Sequence, residues 1–192
     1  MRVLEIAAAI RAAPVRSAGK TKVVAIDDCG GAGKSTLAAA LAGELGDARI
    51  VPTDDFASWD VPLGWAPRFL DQVLRPLALG DRVRHQRYDW DLERLADWVM
   101  ITAPAHLVIE GVSSSRLEFA PYVDFATWVE ADRDERLRRG LERDGRDTEA
   151  RWHQWMAAEV DYVARERPRE RVDLVLNGMG GSCYGEASAT GA

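Results

Sequence analysis

Five short apolar runs alternate with helical segments along the 192-residue chain. The runs cover Lys22–Asp27, Ala48–Pro52, His106–Glu110, Phe125–Val129 and Val172–Leu176. Each is expected to be apolar on both faces, as in the strands of a parallel sheet buried between helices. The pattern therefore predicts an α/β fold, doubly wound, with a five-stranded mainly parallel sheet flanked by helices.

The segments between these runs have helical periodicity or composition. Residues 3–10 place Val3, Ile6, Ala7 and Ile10 at helical spacing, which predicts an amphipathic helix that ends at Pro14. Further helices are predicted at Leu37–Leu45, Phe69–Leu79, Leu92–Ile101, Asp132–Arg143 and Arg151–Arg165. We expect a single domain over residues 1–178, with residues 1–20 as an N-terminal helix and connector. Residues 179–192 are expected to be a disordered tail.

Composition and charge exclude several classes of protein. Hydrophobic residues make up 47% and charged residues 29%, which is normal for a globular chain and excludes a disordered or fibrous one. A net charge of −6 provides no field to hold a phosphate backbone, so we expect no nucleic acid partner. No apolar run approaches the ~20 residues that span a bilayer, and no signal-peptide core is visible. We therefore expect no membrane partner and a cytoplasmic location.

The residues between the first strand and the first helix give the strongest chemical signal. Asp28-Cys-Gly-Gly-Ala-Gly-Lys-Ser-Thr36 matches the phosphate-loop pattern G-x-x-x-x-G-K-[ST] except at its first position, where Asp28 replaces Gly. In such a loop, backbone N–H groups surround a phosphate chain, the Lys reaches phosphate oxygens and the Ser hydroxyl binds Mg²⁺. The predicted nucleotide-binding residues are Gly30, Gly31, Ala32, Gly33, Lys34, Ser35 and Thr36.

Acidic residues follow two later strands of the predicted sheet. Asp54 lies in Thr53-Asp-Asp-Phe56, directly after the second strand, and Glu110 ends the third. Ligands bind beyond the carboxyl ends of the strands in a doubly wound sheet, so both carboxylates are expected near the phosphate loop. Asp54 can accept a proton from an attacking hydroxyl, and Glu110 can hold or orient Mg²⁺. A helix cap or turn for Asp54 and an ordinary strand-terminal acid for Glu110 are the alternatives.

The order of these motifs resembles the uridine kinase and phosphoribulokinase-like branch of the P-loop kinases, which also includes pantothenate kinase. The resemblance spans residue 23 to about residue 177 and rests on the phosphate loop, Thr53–Phe56, Arg87-Tyr-Asp-Trp90, Leu107–Gly111 and Arg136–Asp147. It implies that the γ-phosphate of ATP is transferred to a hydroxyl of a small metabolite. By the same resemblance, Asp54 is the general base, and Tyr88 and Asp89 line the acceptor pocket.

Residues 57–90 are the predicted acceptor-binding segment, and here the chain departs from the uridine kinases. Those enzymes have a further acidic, Pro- and Phe-containing motif that grips the ribose hydroxyls, whereas this chain has Trp59-Asp-Val-Pro-Leu-Gly-Trp65. Trp59, Trp65 and Trp90 either stack on a planar ring of the acceptor or fill the core. Arg87 either meets a negative charge on the acceptor or is solvated.

Residues 132–147 are rich in arginine and resemble the lid of the uridine kinase family. Arg139 and Arg143 are four residues apart and therefore share a helix face. The resemblance makes Arg143 the catalytic lid residue, with Arg139 or Arg146 as auxiliaries, although Gly140 stands where the family often has a further Arg. A solvated helix face is the alternative.

Three hypotheses for the function remain open at this stage. The leading one is an ATP- and Mg²⁺-dependent kinase of a nucleoside. The second is a kinase of a non-nucleoside acceptor such as pantothenate, a sugar or an antibiotic hydroxyl. The third is a nucleotide-binding module with weak or no catalysis, because Asp28 replaces the first Gly of the loop. The oligomeric state also stays open, with a homodimer as one option.

Overall fold

The structure, a computed structural model, describes residues 2–16 and 19–178. The tail expected at residues 179–192 lies outside the described residues. In chain order the main elements are α1 (Val3–Ala12), β1 (Lys22–Asp27), α2 (Lys34–Leu45), β2 (Ala48–Pro52), α3 (Ala66–Phe69), α4 (Arg75–Leu79), β3 (Val83–Asp89), β4 (Arg94–Ile101), β5 (His106–Glu110), β6 (Phe125–Glu130), α5 (Arg133–Asp144), α6 (Glu149–Glu166) and β7 (Leu174–Asn177).

Five strands form a parallel sheet in the order β2-β5-β1-β6-β7. The central strand is β1, in which Val24 pairs with Val108 on one side and Phe125 on the other. The predicted α/β fold with a five-stranded sheet is confirmed. Because β1 is central, the loop that follows it lies in the middle of the sheet's carboxyl edge.

Helical layers cover both faces of the sheet, as the apolar strands require. On one face, Val24 and Ile26 of β1 belong to the same buried cluster as Leu41 of α2. On the other face, Val23 belongs to a cluster with Phe69 of α3. Successive β1 side chains point to opposite faces, so both layers are needed to bury the apolar residues Val23–Ile26.

The first helix is held to the sheet by an unusual cap. The Nζ of Lys22, at the start of β1, donates to the carbonyl oxygens of Ile10, Arg11 and Ala13 at 2.8, 2.8 and 2.7 Å. The last carbonyls of a helix have no partner within it, so a buried ammonium there satisfies them. The helix predicted before Pro14 is therefore confirmed, and the first strand holds its C-terminus.

The expectation that every strand is apolar on both faces is wrong for the two edge strands. Arg49 and Ile50 of β2 are exposed, and Val175 of β7 is 39% exposed. Each edge strand has a neighbour on only one side, so water reaches side chains that a central strand would bury. The expectation is right for β1 and largely so for β5 and β6, which lie inside the sheet.

The helix predicted at Leu92–Ile101 is wrong. These residues form β4, which pairs antiparallel with β3 in a separate two-stranded sheet. Val99 and Ile101 face the core, whereas Trp98 and Met100 are 46% and 59% exposed. Pairing with β3 and burial of alternate side chains outweigh the helix propensity of the first half of the segment.

The other predicted helices are confirmed with shifted ends. The helix expected at Phe69–Leu79 begins three residues earlier, at Ala66, and a π-helical turn at Leu70–Leu74 joins α3 to α4. Asp132 caps α5 by accepting the backbone N–H of Asp134. Among the described helices, none is long and apolar enough to cross a membrane.

Candidate active site

The phosphate loop connects β1 to α2 and packs directly on helix α5. Gly31 and Gly33 have φ angles of +79° and +99°, which residues other than Gly rarely adopt. A Cβ on Gly31 would lie 2.4 Å from the carbonyl oxygen of Arg136. The glycines therefore both shape the loop and allow helix α5 to approach it.

Lys34, Ser35 and Glu110 form one polar group at the start of α2. Lys34 Nζ donates to the Cys29 carbonyl at 2.7 Å, and Ser35 Oγ lies 3.2 Å from both carboxylate oxygens of Glu110. Burial raises the pKa of Glu110, while attraction from Lys34 opposes the rise.

This donor set fits Mg²⁺. A hydroxyl and a carboxylate are hard oxygen ligands, and Mg²⁺ is commonly held by one or two such groups together with substrate phosphates. In the described part of the chain, no group of three or more His, Cys, Asp or Glu residues could hold a metal by itself. Ser35 and Glu110 are therefore the residues that would hold the ion.

Asp54 approaches this group from the end of β2. Residues Thr53–Asp55 form a short 3-10 turn, and the indole N–H of Trp90 donates to the Asp54 carbonyl at 3.1 Å. The surrounding protein raises the pKa of Asp54, although its side chain borders an open cavity, and Lys34 and Arg143 lower that pKa by attraction. Asp54 therefore lies within electrostatic range of both cations.

The neighbouring Asp55 does not line the cavity but points into the fold. Its Oδ2 lies 2.7 Å from Nε2 of the buried His85, and its carbonyl accepts a hydrogen bond from Arg68 at 2.9 Å. Asp55 therefore anchors the turn to β3 and α3. Of the two adjacent acids, only Asp54 is available to a ligand.

A single cavity of about 860 Å³ joins these groups. The phosphate loop, Asp54, Glu110 and helix α5 form part of its wall, and four tryptophans form much of the rest: Trp59, Trp90, Trp152 and Trp155. The ring centroids of Trp59, Trp90 and Trp155 are 5.4–6.0 Å apart. Trp65, in contrast, is buried in the core against Phe69.

Two arginines of α5 reach the cavity. Arg139 donates to the Gly31 carbonyl at 3.3 Å and to Glu135 at 2.7 Å. Arg143 makes two hydrogen bonds to Asp144, at 2.7 and 2.9 Å. These bonds raise the pKa of Arg143, and attraction from Asp54 and Glu110 raises it further.

The structure brings together some of the sequence-predicted site residues and separates others. Those that line the cavity are Gly30, Gly31, Gly33, Lys34, Ser35, Thr36, Asp54, Trp59, Glu110, Arg139 and Arg143. Ala32 is fully buried in the loop. Arg87, Tyr88, Asp89 and Arg146 are not in the cavity wall. Their predicted roles stay predictions.

The positions of Tyr88 and Asp89 have local explanations. Tyr88 packs edge-on against Trp90, with ring centroids 5.3 Å apart. The Asp89 side chain accepts the backbone N–H groups of Asp91 and Leu92 at 3.0 and 2.9 Å, which shapes the turn between β3 and β4. Both residues thus hold the hairpin that carries Trp90.

Helix α6 contributes residues that inspection of the sequence did not identify. Trp152, Trp155 and Glu159 lie on one face of this helix. Glu159 is 1% exposed, accepts the Gly30 N–H at 2.6 Å and pairs with Arg136 at 3.0 Å. An acidic residue within the apolar stripe of a helix is the signal that could have identified it, because such a position requires a buried partner.

These features define the class of the protein. A parallel sheet with the phosphate loop after its central strand, and with acids at the ends of β2 and β5, is the arrangement of a P-loop nucleotide-binding protein. The model of the phosphoribulokinase / uridine kinase family matches residues 68–180, more than half of the chain. The chain belongs to this family and is a P-loop kinase. The matched residues begin after the phosphate loop, so the loop is separate evidence for the same class of protein.

Two solved structures share the fold. A protein described as a possible uridine kinase from Bacillus stearothermophilus aligns with a TM-score of 0.69 and 23% identity, over 91% of this chain and 96% of that one. A candidate fructose transport system kinase from Silicibacter sp. TM1040 aligns with a TM-score of 0.64 and 21% identity, over 91% and 98%. The comparison with curated proteins finds no match.

Proposed function

We propose that this chain transfers the γ-phosphate of ATP to a hydroxyl of an uncharged small molecule, with a nucleoside as the leading acceptor. The observation that carries the proposal is that Asp54 lines the cavity together with Lys34, Glu110 and Arg143. Attraction from Lys34 and Arg143 lowers the pKa of Asp54, and the charge of Asp54 in turn raises the pKa values of Glu110 and Arg143. Family membership supports the kinase class, and the cavity supports the choice of acceptor.

Each residue of the site has a separate task in this proposal. The amides of the phosphate loop and Lys34 bind phosphate oxygens, while Ser35 and Glu110 hold Mg²⁺, which neutralises phosphate charge when bound. Asp54 orients the acceptor hydroxyl and takes its proton on a carboxylate oxygen. Arg143 approaches from the lid and stabilises the negative charge of the transferring group. The indole rings of the cavity wall exclude water from the reacting groups.

The charges of the cavity wall favour an uncharged acceptor. The lysines and arginines in this wall are Lys34, Arg139 and Arg143, all on the phosphate loop side or the lid. The remaining wall includes the aromatic side chains, Val112, Thr148 and the carboxylates of Asp54, Asp91 and Glu110. An acceptor with a phosphate or carboxylate group would lose hydration there and meet carboxylates, while Arg151, which lies over the Trp59 ring, already pairs with Glu93. A nucleoside or a polyol would not incur that cost.

The aromatic side chains support a ring-containing acceptor. Trp59 and Trp90 both border the cavity, and the hydrogen bond from Trp90 to the Asp54 carbonyl fixes its position relative to the candidate base. Indole faces stack on planar or apolar ring faces, while few polar groups are needed to orient the ligand. A nucleobase matches this wall, and its ribose would supply the hydroxyl.

The test is ADP release from Mg·ATP over a panel of acceptors: uridine, cytidine, other nucleosides, simple sugars and pantothenate. We expect release stimulated by an uncharged acceptor and reduced about 10²–10⁴-fold in Asp54→Asn, which is the usual contribution of a general base. Asp161→Asn, on the exposed face of α6, is the matched control and should retain the wild-type rate.

Three outcomes would contradict the proposal. Near-normal turnover of Asp54→Asn would remove the assignment of the base. Binding of Mg·ATP without stimulated release by any acceptor would favour the nucleotide-binding module. Stimulation only by pantothenate would contradict the argument from the charges of the cavity wall.

A further inference from the structure

Asp28 is a buried carboxyl group with an unsatisfied oxygen. It occupies the first position of the phosphate loop and is 4% exposed. The Cys29 backbone N–H hydrogen-bonds to its carboxyl group, but Oδ2 has no hydrogen-bond partner among the described residues. An ionised carboxylate in such a site would lack donors for part of its charge, so protonation is the less costly state.

The adjacent Asp27 has the donors that Asp28 lacks. Its carboxylate accepts the N–H groups of Asp28, Ser113 and Ser115 at 2.8, 2.8 and 2.9 Å, and the hydroxyls of Ser115 and Tyr162 at 2.6 Å. Burial raises the pKa of Asp27, and the hydrogen bonds from Ser115 and Tyr162 oppose that rise. Of these neighbouring acids, Asp27 is equipped to carry a negative charge.

Two cations act on Asp28, and both have other partners. Lys34 of α2 donates to the Cys29 carbonyl, and Arg136 of α5 pairs with Glu159 of α6. The net effect of these surroundings raises the pKa of Asp28 to about 7: burial raises the pKa most, attraction from Lys34 and Arg136 lowers it, and repulsion from Asp27 raises it. Phosphates bound next to Lys34 would cancel part of its attraction for Asp28, because their negative charge lies close to the same ammonium.

We propose that the phosphate loop takes up a proton at Asp28 when it binds a nucleotide, so that the departure from Gly makes nucleotide affinity depend on pH. This inference depends on the proposed function in one respect, which is that a nucleotide binds in the loop. The sign follows from linkage: a ligand that favours the protonated form binds more weakly as pH rises. If binding takes up one proton, the affinity for the nucleotide falls by at most about tenfold for each pH unit of increase.

The direct test is calorimetry of Mg·ADP binding in two buffers that differ in ionisation enthalpy, at about pH 7.5. The dependence of the measured heat on the buffer gives the number of protons taken up. We expect greater uptake by the wild type than by Asp28→Asn, which keeps the shape of the side chain without titrating. Asp28→Gly, which restores the common loop sequence, should behave like Asp28→Asn.

Equal proton uptake by the three proteins would overturn the inference. Absence of Mg·ADP binding in all three would reject both the nucleotide site of the proposed function and this inference. Binding and proton uptake without phosphate transfer to any acceptor would reject the kinase reaction alone and support the inference. The failures of the two proposals are therefore distinguishable.

A second measurement needs no nucleotide. The pKa of Asp28 is raised above its ordinary value of 3.8, so its contribution to stability is greatest at acid pH and is lost as pH rises towards 7. Asp28→Asn should therefore gain stability relative to the wild type between about pH 5 and pH 8, measured by urea unfolding. A constant difference between the two proteins over this range would contradict protonation of Asp28.

Discussion

Gly140 leaves space for an indole ring against helix α5. A Cβ at this position would lie 2.3 Å from Trp152, so the ring packs directly on the backbone of α5. The indole N–H donates to Asp144 at 3.1 Å, and Asp144 in turn holds Arg143. At the scale of single residues, the orientation of Arg143 thus depends on the absence of a side chain at Gly140.

Gly140→Ala tests this contact. The added methyl group must displace Trp152, and we expect the free energy of unfolding to fall by about 1–3 kcal/mol, as for overpacked cores. Gly43→Ala is the matched control, because a Cβ there meets nothing within 4 Å on the exposed side of α2. Ala is favoured over Gly in a helix, so the control should gain roughly 0.5–1 kcal/mol. Urea unfolding of both variants measures the difference, and a similar gain at the two positions would refute the contact.

At the scale of the element, helix α5 has a buried and an exposed set of ion pairs. Arg136 pairs with Glu159, and the two side chains are 11% and 1% exposed. Arg138 pairs with Glu135 and Glu142 on the outer face and is 53% exposed. The buried pair also contacts the backbone of Gly30, so it connects helix α5 to the phosphate loop.

Arg136→Met and Arg138→Met should therefore differ in effect. Removing Arg136 leaves Glu159 buried without a cation, which should cost about 3–5 kcal/mol of unfolding free energy. Removing Arg138 should cost less than about 1 kcal/mol, because water screens an exposed pair. Chemical denaturation of the two variants gives both values. Equal losses would show that the buried pair does not hold α5 against the phosphate loop.

At the scale of the whole molecule, α1 completes the layer that covers one face of the sheet. Ile6, Ala7 and Ile10 are fully buried against α2, and Lys22 holds the end of the helix. The N-terminal segment is therefore part of the core cluster that also includes β1. Its loss would expose the apolar surface of α2 to water.

Ile10→Ala tests the contribution of this layer. The deleted methyl groups leave a cavity in a closely packed cluster, and we expect a loss of about 2–5 kcal/mol in the free energy of unfolding. Leu4→Ala on the same helix is the control, because Leu4 is 57% exposed and should change stability by less than about 0.5 kcal/mol. Thermal unfolding of both variants provides the comparison. An Ile10→Ala protein as stable as the control would place α1 outside the core.

Prediction of the fold succeeded where local pattern and burial agree. Residues Val23–Ile26 of the run Lys22–Asp27 are apolar at successive positions, and a central strand covered on both faces buries such a run. Leu92–Ile101 was assigned to the wrong class of element, because its local propensity favours a helix and no strand was predicted at β3, its hairpin partner. Exposure of the edge strands also could not be predicted, because a single run does not reveal its place in the sheet.

Prediction of the candidate site shows the same division. Gly31, Lys34 and Ser35 were identified from a contiguous motif, since a loop between strand and helix provides the geometry locally. Trp152 and Glu159 were not, because their partners, Gly140 and Gly30, are on other elements.

The amino-acid pattern alone determined the α/β class, the order of most elements and the phosphate loop, because these depend on residues that are close in the chain. The tertiary structure alone decided which side chains line the cavity: it directed Asp54 inward and Asp55 away, and buried Trp65 while leaving Trp59 accessible. It also left one oxygen of Asp28 without a hydrogen-bond partner among residues 2–16 and 19–178. These outcomes depend on packing between segments that are distant in the chain. There, the free energy of folding depends on whether a buried polar group has a hydrogen-bond partner.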